Sequence, residues 1–154
     1  MLLTAALLLS LGQSVGAEAS ADFAVRITYG TCWNESVDTA RRVFSRTIRY
    51  GVVRTARFTL TTEQQQRLHA LVNGVGIFDY PTRFEPVLTT MTEPATDFTI
   101  EVRSGGRRHV VQWADYGAMS PEATRLRTML REVREFFVAL PSVQRLQATQ
   151  IICL

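Results

Sequence analysis

The stretch from Phe98 to Trp113 leaves this chain the least freedom in its fold. Phe98-Thr99-Ile100-Glu101-Val102-Arg103-Ser104 alternates apolar and polar residues, Gly105-Gly106 follows, and Arg107 to Trp113 is again extended in character. Two such runs joined by two glycines predict a hairpin with a two-residue primed turn. The turn sets the register: Ser104 faces Arg107, Val102 faces His109, Ile100 faces Val111 and Phe98 faces Trp113. That pairing puts the apolar residues on one face and Thr99, Glu101 and Gln112 on the other. The chain must therefore build an antiparallel sheet with one buried face.

Other segments supply the partners. Phe23, Val25, Ile27 and Tyr29 alternate with polar neighbours and predict a first strand. The residues 30–34 read as a loop, and Val43 to Tyr50 and Val52 to Leu60 read as two strands joined at Gly51. Thr61 with Gln64 three residues on forms a capping box, and Leu68, Leu71, Val72 and Val75 form one helical stripe that stops at Gly74 and Gly76. The second helix has Ser120 as N-cap, Pro121 at its first position, and Leu126, Met129, Leu130, Val133 and Phe137 along one face. A polar Thr/Pro/Glu stretch, 82–96, joins the first helix to the hairpin, and loops of that length inside compact domains are usually functional or mobile. The order βββαββα predicts an α+β domain: an antiparallel sheet of about five strands with two helices packed on one face.

The first residues are of another kind. Leu2 to Leu11 is an apolar run of about ten residues, the length of a signal-peptide core and too short for a bilayer span. Small residues follow, with Ala-x-Ala-like cleavage points after Ala17, Ala19 and Ala21. Cleavage after Ala19 divides the chain into a signal peptide, 1–19, and a single domain, 20–154, with no transmembrane span and a secreted or periplasmic destination. All 17 cations are arginine, and loss of Glu18 leaves 13 of the 14 carboxylates, so the domain carries a net charge of 17 minus 13, or +4. A run of arginines alone is what a GC-rich genome produces, so it indicates no specific nucleic acid.

Five short motifs carry a resemblance: Tyr29-Gly30-Thr31-Cys32-Trp33, Leu60-Thr61-Thr62-Glu63, Phe78-Asp79-Tyr80-Pro81, Val110-Val111-Gln112-Trp113-Ala114-Asp115 and Leu126-Arg127. Together they resemble an uncharacterised family of small secreted or lipid-anchored bacterial proteins. The resemblance implies secretion and fold, and brings no assigned activity, catalytic residue or cofactor. The chain departs from lipid-anchored members in lacking a cysteine at the cleavage point.

Cys32 and Cys153 are the only cysteines, and in an oxidising compartment an even pair reads as a disulfide. Closing a loop of about 120 residues would stabilise the fold by roughly 5 kcal/mol in the chain-entropy model. Two histidines and the lack of CxxC or HExxH spacing predict no metal site, and no phosphate loop or nucleophile elbow appears, so no cofactor is implied. His109 is expected to pack opposite Val102, and His69, beside the apolar stripe, to be solvated. Arg41, Arg42, Arg46, Arg49, Arg54 and Arg57 fall within seventeen residues, at both strand parities, as expected of a solvated sheet edge. The candidate ligand-binding residues are Trp33 in the first loop, Arg46 in the basic segment, and Trp113 with Asp115 at the end of the hairpin. The expected function is a monomeric, non-enzymatic binding or interaction module of the cell envelope, with a protein or envelope component as partner. The alternatives are a hydrolase assembled from scattered Asp, Glu and His, and an arginine-mediated binder of anionic polymers.

Overall fold

The computed structural model describes residues 20–32, 34–88 and 91–151; the leader, Trp33 and Cys153 lie outside the described residues. The α+β class holds, with one strand more than expected. Strands β1 (Ala24–Gly30), β2 (Asn34–Asp38), β3 (Val43–Arg49), β4 (Val52–Arg57), β5 (Thr96–Ser104) and β6 (Arg107–Asp115) form a sheet in the order β4-β3-β2-β1-β5-β6. Every neighbouring pair is antiparallel.

The additional strand is β2, whose residues Asn-Glu-Ser-Val-Asp include a single apolar side chain. Its intrinsic propensity is poor, and pairing with β1 overrides it: Val37 faces Ile27, and Glu35 faces Tyr29. The hairpin register is as expected from its turn. Gly105 and Gly106 both have positive φ, 58° and 73°, and Phe98 lies opposite Trp113.

One cross-strand row carries the centre of the core. Ala56, Phe44, Val37, Ile27, Ile100 and Val111 lie opposite one another from β4 to β6, and all are buried. Helices α1 (Thr62–Gly74) and α2 (Pro121–Val138) cover that face with Leu68, Val72, Leu126, Met129, Leu130, Val133 and Phe137. Both expected caps form: Thr61 and Gln64 bond reciprocally, and Ser120 Oγ accepts from the Ala123 amide. A short α3 (Pro141–Gln144) follows, placing Val143 in the core and packing against β4. His69 departs from expectation. It is buried, its ring meets Phe23 edge-on at 4.8 Å, and its Nε2 lies 2.7 Å from Asn73 Nδ2. Phe23 precedes β1 and closes over this side of α1, which periodicity within the helix could not reveal.

Within the 82–96 stretch, Thr82 to Phe84 pair onto the sheet edge. Gln112 donates its amide to Thr82 O (2.7 Å) and accepts from Phe84 N (2.9 Å), a parallel bridge alongside β6. Thr92 N donates to Tyr116 O at 2.8 Å. Gly117, at φ +88°, lets the two loops approach, since a Cβ there would stand 2.7 Å from Thr92 Oγ1. The bridge at Gln112 occupies part of the β6 edge, where an unpaired strand would otherwise present free backbone groups. At the other side of the molecule Thr149 Oγ1 donates to Thr47 O and Gln150 N to Ile48 O, which ties the C-terminal segment to the end of β3.

Candidate functional site

A second cross-strand row on the helix-covered face runs Arg54, Arg46, Glu35, Tyr29, Phe98, Trp113, from basic through acidic to aromatic. At its middle Glu35 is 2% exposed. Its Oε1 accepts from Arg46 Nε at 2.5 Å and its Oε2 from Arg134 Nε, on α2, at 2.7 Å. A buried carboxylate needs such compensation, because desolvation costs several kcal/mol for an unpaired ion. Arg46 is therefore engaged inside the protein, with its guanidinium 5.4 Å from the Phe44 ring centre. The neighbouring Tyr29 hydroxyl is buried and has no hydrogen-bond partner among the described residues. Burial, reinforced by the Glu35 charge, pushes that phenol above its ordinary range.

Trp113 and Asp115 meet around Arg127. Trp113 is 3% exposed, stacked on Phe98 at 5.6 Å and met edge-on by Phe84 at 5.5 Å. The Arg127 guanidinium lies 5.5 Å from its ring centre. Arg127 donates to both Asp115 oxygens, at 2.6 and 2.7 Å, and to Ala118 O at 2.9 Å, while Asp115 Oδ1 also accepts from Gly117 N. This assembly clamps α2 to the end of β6. Two motifs of the resemblance, at Trp113-Ala114-Asp115 and Leu126-Arg127, thus meet in one structural contact.

A groove of about 610 Å³ lies beside the clamp, between the 83–88 segment and the adjoining ends of β5 and β6. Strand alternation puts Asp97, Thr99, Gln112 and Ala114 on the sheet face away from the helices, and Pro86, Leu88 and Tyr116 line the groove from the loops. Six large apolar side chains are exposed among the described residues: Tyr50, Val53, Val87, Leu88, Met91 and Met119. Four of them, Val87, Leu88, Met91 and Met119, belong to the two loops that the Thr92 to Tyr116 bond joins at the groove. They escaped sequence reasoning because single apolar residues in a polar loop have no period. Only the length of the loop pointed there.

The Arg108 guanidinium beside Glu101 holds its carboxyl below the ordinary carboxylate range, with Arg103 assisting. His109 Nε2 lies 2.7 Å from Tyr80 O. Among the described residues no group of three or more His, Cys, Asp or Glu is placed to hold a metal ion, and no cysteine is free. No helix among them is long and apolar enough to cross a membrane. No protein-family model matches the chain, and no match is found among curated proteins.

Proposed function

We propose that the chain is an exported, non-enzymatic binding module that docks a protein partner through the groove between the 83–88 segment and the ends of β5 and β6. The observation that carries this reading is a groove with a polar floor that Leu88 lines, on loops that also expose Val87, Met91 and Met119. Exposed apolar clusters of this kind mark interaction sites, and methionine, unbranched and polarizable, adapts to a partner's surface. A hydrolase of scattered carboxylates has less support, because Glu35, Glu101 and Asp115 are each engaged by arginines away from the groove, and of the two carboxylates that line it, Glu85 and Asp97, the first pairs with Arg83.

Export rests on the leader read from the sequence, and brings with it a Cys32–Cys153 disulfide. What supports the bridge is that no described cysteine is free and that Thr149 and Gln150 bond to Thr47 and Ile48. Register places those residues at the end of the sheet where the β1–β2 turn carries Cys32. The test of the docking surface is site-specific photo-crosslinking in the envelope from position 91, with position 124 on α2 as control. An adduct specific to position 91, whose purified partner binds at least tenfold more weakly to Leu88→Arg, is the expected result. Equal adducts from both positions, or unchanged binding by that variant, would refute the reading.

A further inference from the structure

We infer that β4 is a separate docking edge, which takes an acidic, extended polypeptide segment as an added strand. The phase of the β3–β4 ladder is set by Phe58 N donating to Arg42 O at 3.0 Å. Antiparallel pairs alternate between those that exchange hydrogen bonds and those that do not. The pairs 44–56 and 46–54 therefore exchange them, and the backbone N–H and C=O of Val53, Thr55 and Arg57 point away from β3. No other hydrogen bond between described residues reaches these groups. On the opposite edge of the sheet, β6, the outward groups of Gln112 are by contrast bonded to Thr82 and Phe84.

Charge identifies the occupant. Between Thr39 and Thr62 the chain has six arginines and no Asp or Glu. Arg41 pairs with Asp38 and Arg46 with Glu35, whereas Arg42, Arg49, Arg54 and Arg57 are exposed and have no described carboxylate within 4.0 Å. Strand alternation puts Arg54 on the helix-covered face with Ala56, and Arg57 on the open face with Thr55 and Val53. An added strand would meet a guanidinium on either face. Val53 and Tyr50, the other two exposed large apolar residues, flank it.

A second copy of β4 would bring together two edges that both carry arginines and no carboxylate, a like-charge approach with nothing to offset it. A polyphosphate would satisfy the guanidiniums but offers no donors for the outward carbonyls, and a sulfated polysaccharide lacks the regular extended backbone that strand pairing needs. A polypeptide with alternating carboxylates satisfies both, the mode of recognition by strand addition.

The probe is a nine-residue capped peptide alternating Glu and Val, with a Lys-for-Glu version as control, offered to the full-length exported protein. The expected result is binding of the Glu peptide alone, with amide exchange at Val53, Thr55 and Arg57 slowed at least tenfold. Thr55→Pro should abolish that binding by removing an outward N–H. In case the proline disturbs the hairpin, the double variant Arg54→Glu with Arg57→Glu should reverse the preference towards the Lys peptide. The inference is overturned if the Glu peptide fails to bind at millimolar concentration, binds without slowing exchange on β4, or is displaced by polyphosphate while Thr55→Pro binds it normally.

Discussion

Glu35 on β2 and Arg134 on α2, 99 residues apart in the chain, are joined by a 2.7 Å charge-assisted hydrogen bond that fastens the last long helix to the sheet. Arg46 completes the triad from β3, with a side chain 11% exposed against 42% for Arg134. Glu35→Gln keeps the shape and removes the charge, leaving Arg46 uncompensated. Breaking one side of a buried pair costs about 3 to 5 kcal/mol, and the partial exposure of Arg134 places this case near about 3. Urea denaturation measures the loss, and a change under about 1 kcal/mol would show that the triad is solvated.

The Tyr29 hydroxyl lies beside that triad without a partner among the described residues, so it adds a desolvation cost and no bond. Tyr29→Phe should leave stability unchanged or raise it by up to about 1 kcal/mol, since deleting an unsatisfied buried polar group removes a penalty. The same denaturation measurement checks it. A loss above about 1 kcal/mol would mean that the hydroxyl has a partner in solution, such as a bound water.

How far these features could be read from the residues depends on the range of the interaction that makes them. The β5–β6 register follows from Gly105-Gly106 and from alternation within sixteen residues, and the caps at Thr61 and Ser120 follow from three-residue spacings. β2 could not be read, because Glu35 occupies an inward position where the pattern calls for an apolar residue. Its compensation comes from Arg134, far along the chain. Arg46 and Trp113, candidate ligand contacts by sequence, do share one row of the sheet, yet both are engaged internally, one by a carboxylate and one by rings. The groove rim depends on two loops meeting at Thr92 and Tyr116, a contact without local signature.

Asp22 offers a titration that reports on the hairpin. Its carboxylate accepts from the Ser20 hydroxyl and from the amides of Gly106 and Gly105, and these bonds lower its pKa from the ordinary 3.8 to about 2. A folded pKa below the unfolded one means that the stabilisation is present above the unfolded value and fades as pH falls towards about 2. The Gly105 and Gly106 amide shifts should therefore titrate with a midpoint near pH 2, and Asp22→Asn should abolish that step. A midpoint near 3.8 would show that the carboxylate does not hold the turn.

Arg127 joins three things that a simple cation could not: both oxygens of Asp115, the carbonyl of Ala118, and the face of Trp113. A lysine keeps the charge but has neither the planar fork for a bidentate pair nor the flat surface for an aromatic ring. Charged hydrogen bonds contribute about 1.5 to 3 kcal/mol each, but the Arg127 side chain is 35% exposed, so solvent discounts the clamp. Arg127→Lys should accordingly cost about 1 to 2 kcal/mol by denaturation. It should also change the near-ultraviolet circular dichroism of Trp113, whose surroundings lose the guanidinium while Phe84 and Phe98 remain. Groove binding is expected to weaken in parallel, because Tyr116 and Met119 lie on the loop that Arg127 anchors through Asp115 and Ala118. A lysine variant of unchanged stability and unchanged tryptophan signal would show that the loop is held by Thr92 and the α2 N-cap alone.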